Sequence, residues 1–95
     1  MNDAKFICSG ILTRVEDVRI FMDSNDTQHK VGRVMTVDSE GNILYAYVWD
    51  KTLTYIQDYM RIGDKVEATY LVQSEQHKTK DLFWTRLTML FLKKI

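Results

Sequence analysis

The most informative segment of the chain reads Asp38-Ser-Glu-Gly-Asn-Ile-Leu-Tyr-Ala-Tyr-Val-Trp49. It begins with residue types that form turns and tolerate positive φ, and it continues with alternating aliphatic and aromatic side chains. Alternation with a period of two is typical of a β-strand, so Ile43 to Trp49 is predicted to return from a turn over Asp38 to Asn42. The extended stretch Lys30 to Val37 is the other half of this hairpin.

Further strands are predicted on both sides of the hairpin. Lys5 to Met22 is rich in Ile, Val, Phe and Thr and is interrupted by Gly10, which predicts one long strand that bends or bulges there. The polar cluster Asp23 to His29 follows it as an exposed loop. Lys65 to Val72 and the strongly apolar Leu82 to Leu92 are predicted as the last two strands. A second polar loop, Ser74 to Asp81, separates them.

One helix is predicted between the third and fourth strands, over Lys51 to Met60. Apolar residues recur there at three- and four-residue spacing, which places them on one helical face. Asp50 is a candidate N-cap, and Gly63 is expected to close the helix. The residues of this apolar face are Leu53, Ile56, Tyr59 and Met60.

The order of these elements is strand, strand, strand, helix, strand, strand. A parallel sheet would need a helix after most strands, whereas antiparallel strands can close their edges into a barrel. This order is that of the oligonucleotide/oligosaccharide-binding fold (OB-fold), a five-stranded Greek-key barrel. The predicted fold class is therefore an all-β, five-stranded antiparallel OB-fold barrel with one short helix. A single domain over residues 1–95 is expected, because two cores would each be too small.

Composition limits the possible partners and locations. Thirteen basic and thirteen acidic side chains cancel, so any affinity for nucleic acid must come from a local patch. Cys8 is the only cysteine, and no charged-then-apolar leader precedes Lys5, so a reducing, cytoplasmic location is expected. No apolar run approaches the roughly 20 residues that span a bilayer, so no membrane partner is expected.

Few residues in the chain suit catalysis or metal binding. His29, His77 and Cys8 are the only residues of their types, and none of them is paired at a metal-ligand spacing. The four glycines are scattered and form no phosphate-binding loop. We therefore expect no catalytic residue, no metal and no cofactor, and we do not expect an enzyme.

The segment Val37 to Asp50, followed by a helix and Gly63-Asp64-Lys65-Val66, resembles the nucleic-acid-binding OB domains of the replication protein A type. In that family an acidic turn with glycine leads into a third strand that ends in an aromatic and a polar residue. A Gly-Asp-x-Val step then opens the fourth strand. Trp49-Asp50 and Gly63-Asp64 match those places. The resemblance implies binding of single-stranded nucleic acid, with Trp49 at a base-stacking position.

The alternation in the third strand supports this interpretation independently. Its aliphatic residues suit the tight interior of a small barrel, so Tyr45, Tyr47 and Trp49 are expected to project outward. A contiguous row of exposed rings marks a binding surface, and bases stack on such rings at about 1–3 kcal/mol each with little sequence preference. The alternative is that the helix, the N-terminal residues or a second subunit covers the rings.

Other candidates could contact phosphates or bases. Arg33 is expected to point outward if Val34 faces the core, although it could equally be a solvated edge arginine. The loop before the last strand contains two lysines, and Trp84 follows it at the start of that strand. Trp84 is expected either to contact a base or to cap the core. The complete set of nucleic-acid-binding candidates is Trp49, Tyr45, Tyr47, Arg33, Lys51, Lys78, Lys80 and Trp84.

Two functional classes stay open at this stage. The first is a largely sequence-independent module that binds single-stranded DNA, or single-stranded RNA, since stacking does not identify the sugar. The second is a protein-interaction or oligomerisation barrel. Both faces of Met89 to Leu92 are apolar, so a homo-oligomer could form through the last strand.

Overall fold

The computed structural model contains five strands and one helix that form a closed barrel, and it describes residues 3–76 and 83–95. The elements are β1 (Asp3–Met22), β2 (Gln28–Val37), β3 (Ile43–Trp49), α1 (Asp50–Tyr59), β4 (Lys65–Gln76) and β5 (Phe83–Lys94). Around the barrel the strands are ordered β1-β2-β3-β5-β4, and β1 also pairs with β4. The closing β3–β5 pair is parallel, and the others are antiparallel. The predicted fold class is confirmed.

The strand β1 belongs to both halves of the barrel because it changes its pairing partner at Ile11, next to the glycine where the sequence predicts a bend or bulge. Its first part pairs with β4 and its second part with β2, and Ile11 takes part in both ladders. A Cβ atom at Gly10 would lie 3.0 Å from the carbonyl oxygen of Val37. Glycine therefore permits the close approach of two backbones at this corner. Two irregularities, at Leu12/Arg14 and Glu16/Arg19, add local twist further along.

Alternate residues of each strand fill the barrel interior. In β3, Ala46 and Val48 are fully buried and Leu44 packs against the core, so the predicted register is confirmed. The interior also contains one polar pair, in which the hydroxyls of Thr36 and Tyr70 lie 2.8 Å apart. Burial raises the pKa of Tyr70, and its bond to Thr36 partly offsets this.

The helix packs on the barrel through Leu53 and Ile56, with Met60 just after its last residue. The prediction that Tyr59 shares this face is wrong, since its side chain is 71% exposed. Tyr59 follows Ile56 by three residues, so its side chain lies beside the narrow part of the helix surface that packs on the core. Gly63 has a φ of 100° in the turn before β4, so it shapes that turn and does not end the helix, which stops at Tyr59.

The predicted N-cap at Asp50 is also wrong. Trp49 is the cap residue and makes no side-chain cap bond, while Asp50 is the first helical residue and has a φ of 40°. Its carboxylate instead accepts a hydrogen bond from the backbone N–H of Lys30 at 2.8 Å. Asp50 therefore ties the start of the helix to β2, and aspartate is one of the residues that tolerate this backbone region.

Several strands extend further than the sequence indicates. The β2 strand begins at Gln28 instead of Lys30, and β4 continues to Gln76 through residues predicted as loop. Polar side chains do not prevent ladder pairing at an exposed end, as the Ser74–Thr85 pair shows. The rest of that predicted loop, residues 77–81, lies outside the described residues, as does Leu82, the predicted start of the last strand. Within the described ranges, no helix is long and apolar enough to cross a membrane.

Candidate nucleic-acid interface

The outer face of β3 carries a row of aromatic side chains. Tyr45 and Trp49 are each 37% exposed, and Tyr47 between them is half-buried. Alternate residues of a strand lie on one face, about 6.6 Å apart at 3.3 Å per residue. The prediction that these three rings point away from the core is confirmed, and their spacing leaves room for groups between them.

The guanidinium of Arg33 lies between two of these rings. It is 5.6 Å from the centroid of the Tyr45 ring and 5.0 Å from that of Tyr47, and its Nη2 donates a hydrogen bond to the Tyr47 hydroxyl at 3.0 Å. Both contacts are within the range of cation–π attraction. Because Val34 is fully buried, Arg33 points outward as predicted. The arginine thus places a fixed positive charge on the aromatic face.

An acidic side chain also reaches this face. The Tyr45 hydroxyl donates a hydrogen bond to Oε1 of Glu16 at 2.7 Å, and this bond is the main reason that the pKa of Tyr45 is raised. Glu16 stands opposite Arg33 in the β1–β2 ladder. Its carboxylate therefore reduces the positive potential that Arg33 contributes.

A first depression, the arginine groove, lies between β3 and β5 and has a volume of about 290 Å³. It brings a second guanidinium, that of Arg86 on β5, to the same groove as Arg33. The sequence analysis missed Arg86, because only the parallel β3–β5 pairing at Tyr47 and Thr88 brings the two strands together. The residues of the arginine groove are Arg33, Tyr45, Ala46, Tyr47, Thr85, Arg86 and Leu87.

A second depression, the tryptophan groove, lies on the other side of Tyr47 and has a volume of about 490 Å³. The ring of Phe21 meets Trp49 edge to face, with centroids 6.0 Å apart. Sequence reasoning missed Phe21 and Arg19, because the irregularity between Glu16 and Arg19 resets the alternation of β1. The residues of the tryptophan groove are Arg19, Ile20, Phe21, Val31, Tyr47 and Trp49.

His29 fixes the β1–β2 loop beside these rings. Its Nδ1 lies 3.0 Å from Asp50 Oδ2 and its Nε2 lies 2.8 Å from Asp23 Oδ2. The bond to Asp50 and then the bond to Asp23 raise the pKa of His29. The imidazole also lies 5.6 Å from the Phe21 ring. Across the described part of the chain, no group of three or more His, Cys, Asp or Glu side chains could hold a metal ion.

The predicted site residues do not all lie together. Tyr45, Tyr47, Trp49 and Arg33 share the outer face of β2 and β3. Lys51 is exposed in the first turn of α1. Trp84 is 42% exposed on β5, opposite Glu75, two residues before Arg86. Lys78 and Lys80 lie outside the described residues.

Comparisons with solved structures match nearly the whole chain. The mitochondrial single-stranded DNA-binding protein of S. cerevisiae superposes with a TM-score of 0.64 at 10% identity, covering 99% of this chain and 97% of that one. A second crystal form of the yeast protein gives a TM-score of 0.59 at 10% identity, with 100% and 97% covered. The small single-stranded DNA-binding protein of Streptomyces coelicolor gives 0.55 at 13% identity, with 100% and 95% covered.

Sequence comparisons add no relative. No model of a known protein family matches the chain, and no curated protein does. The replication protein A-like subtype stays a prediction, since the structures above are single-stranded DNA-binding proteins of other kinds. At identities this low, the structural similarity shows that the folds are alike and does not extend to the side chains. Strand order, barrel closure and these neighbours agree that the chain has the OB-fold.

Proposed function

We propose that this chain binds single-stranded DNA with little dependence on sequence. The observation that carries the proposal is the outer face of β3, where Arg33 lies between the rings of Tyr45 and Tyr47 and two grooves flank Tyr47. Proteins of this fold in yeast mitochondria and in Streptomyces bind single-stranded DNA, which supports the same ligand here.

Base stacking is the main attraction in this proposal. Trp49 and Tyr45 present partly open rings, and every base has a π-face that such rings can accept. Tyr47 is half-buried and its hydroxyl accepts a hydrogen bond from Arg33. Its main role is therefore to separate the stacking positions at Tyr45 and Trp49, and its own ring is the weakest stacking position of the three. Phe21, edge-on to Trp49, holds the indole in place.

Phosphate contacts come from arginines that the fold brings to this face. Arg33 and Arg86 line the arginine groove, and Arg19 lines the tryptophan groove. These three side chains give a local positive patch on a chain whose net charge is zero. We also propose phosphate contacts by Lys51, Lys78 and Lys80, and a base contact by Trp84, as the sequence indicates. No catalytic step and no cofactor are part of the proposal.

The test compares Trp49→Ala with the wild-type protein in binding to fluorescently labelled oligo-dT. Loss of one stacked base should weaken binding by about 1–3 kcal/mol, which is roughly 5- to 150-fold. Ile62→Ala is the matched control, because Ile62 is 62% exposed after the end of the helix and lines neither of the two grooves. Arg33→Gln should instead lower the dependence of log K on log salt by about 0.7, the value for one phosphate contact on a single strand.

The same experiment also tests two other nucleic acids. Duplex DNA should compete poorly, because its bases are stacked on one another, and oligo-rU tests whether the sugar matters. Circular dichroism of Trp49→Ala excludes loss of folding as the cause of lost binding. Equal binding by wild type and Trp49→Ala would contradict the role of the indole, and absence of binding to dT and rU at micromolar protein would contradict the proposal.

A protein-interaction surface is the second candidate, favoured by Phe91. This ring is 59% exposed and stands in one cross-strand row with Thr69 and the exposed Ile7. Two exposed apolar side chains on either side of Thr69, on the outer face of β1, β4 and β5, suit contact with a second copy of the chain. Sedimentation over a concentration series should show a dimer that Phe91→Asp abolishes. A monomer at every concentration would contradict self-association through β5.

A further inference from the structure

The helix carries two aromatic side chains that the core does not use. Tyr55 is 40% exposed and Tyr59 is 71% exposed, while Leu53 and Ile56 form the buried face of α1. The two tyrosines lie one helical turn apart, and their rings are 5.3 Å apart at an interplanar angle of 39°. They form a second aromatic surface, on a different element from the β3 row.

These rings line a third depression, the α1 groove, which lies between the helix and the β1–β2 hairpin and has a volume of about 560 Å³. The α1 groove also contains Lys30 and Lys51. Ile20 lines both this groove and the tryptophan groove, just as Tyr47 lines both the tryptophan and arginine grooves. Each pair of neighbouring grooves therefore shares one wall residue, and the three grooves follow one another in order from β5 across β3 to the helix.

The charges in the α1 groove indicate how it would hold a ligand. Asp50 and Asp58 also line it, so two carboxylates balance the two lysines, and His29 adds positive charge when protonated. The Asp50 carboxylate is engaged by His29 and by the N–H of Lys30, and Lys30 Nζ donates to Gln57 Oε1 at 2.7 Å. Net charge thus supplies little attraction, and stacking on the tyrosine rings has to supply most of it.

We propose that the α1 groove is a further stacking subsite, onto which a bound DNA single strand continues after it leaves the β3 face. Tyr55 and Tyr59 accept bases there, as Trp49 and Tyr45 do on β3. A duplex cannot follow this path with exposed bases, so the subsite acts only on single strands. This inference rests on the proposed function, and it predicts that the helix matters only for longer oligonucleotides.

The experiment measures the affinities of the double variant Tyr55→Ala/Tyr59→Ala for dT of about 5 and about 15 nucleotides, near the two ends of the site sizes known for OB-folds. Binding to the longer strand should weaken by about tenfold or more, which is about 1.4 kcal/mol, and binding to the shorter strand should not change. Since Lys51 also lines this groove, the dependence of log K on log salt for the longer strand should fall by no more than about 0.7, the value for one phosphate contact on a single strand. Both rings are exposed, so thermal unfolding should also be unchanged.

Two controls make the result specific. Tyr55→Phe/Tyr59→Phe keeps both rings and should bind long dT like wild type. Ile62→Ala removes a side chain that is 62% exposed beyond the end of the helix and should also have no effect. If the alanine variant binds long dT as wild type does, or loses equal affinity for both lengths, the helix subsite is wrong although the proposed function stands. If wild type binds neither length, both fail.

Discussion

The two faces of β3 show how one strand can serve stability and binding separately. On the inner face Ala46 and Val48 have exposures of 2% and 0%, whereas Tyr45 and Trp49 on the outer face are each 37% exposed. Inner side chains must fit a closed space, so their size is constrained by packing. Outer side chains have no such limit and can be large, flat and aromatic. Substitutions on the two faces should therefore have separable effects on unfolding and on DNA binding.

Two tyrosines show the same contrast between a buried and an exposed position, here for their hydroxyl groups. Tyr70 is buried and its hydroxyl has the buried hydroxyl of Thr36 as partner, at 2.8 Å. Tyr45 is partly exposed, and its hydroxyl donates to Glu16 where water can replace either group. Loss of a partner costs free energy only where water cannot take its place. The inner pair should therefore control stability, and the outer pair should affect binding alone.

The largest effect is expected for Tyr70→Phe. This change leaves the Thr36 hydroxyl buried without its partner, so the free energy of unfolding should fall by about 1–3 kcal/mol. Urea denaturation measures the loss, and affinity for dT should be unchanged under conditions where the variant is folded.

The double variant Tyr70→Phe/Thr36→Val is the control for that experiment. Removing both polar partners is expected to restore most of the lost stability, because no unsatisfied group then stays in the core. A double variant less stable than Tyr70→Phe would show that the hydroxyl pair is not the cause of the effect.

A smaller effect is expected for Glu16→Gln on the outer face. The change removes a negative charge opposite Arg33, so dT should bind about two- to fivefold more tightly at low salt, as expected for exposed charges worth less than about 1 kcal/mol. The gain should disappear at high salt. Glu67→Gln is the matched control, since Glu67 lies on β4 and pairs with Lys93 at 3.4 Å. Weaker binding by Glu16→Gln would indicate that the carboxylate supports the site by orienting Tyr45.

The sequence predicts the barrel well because its strongest signals are local. The turn at Asp38 and the alternation that follows it in β3 define a hairpin, and the structure matches both bounds of β3. The same alternation correctly predicts which β3 rings face outward. Gly10 also indicates the place where β1 passes from one half of the barrel to the other, because the strand changes its pairing partner at the next residue, Ile11.

The residues that complete the candidate interface depend on contacts that no local pattern contains. Arg86 lines the same groove as Arg33 only because β3 and β5 close the barrel as a parallel pair. Phe21 meets Trp49 only because an irregularity after Glu16 shifts the register of β1. Helical spacing predicts Tyr59 on the buried face, but its side chain is exposed. Residues at three- and four-residue spacing cover a wider part of the helix surface than the part that packs on the barrel.

The most direct test of the account follows the fluorescence of Trp49 alone during titration with dT. The chain has two tryptophans, so Trp84→Phe leaves Trp49 as the only indole. A base stacked on Trp49 should quench this emission to a plateau at low salt, with the affinity that labelled dT reports independently. The matched Trp49→Phe protein shows what Trp84 contributes. Saturable quenching is the result that the account predicts, and dT binding that leaves the emission of Trp49 unchanged would contradict it.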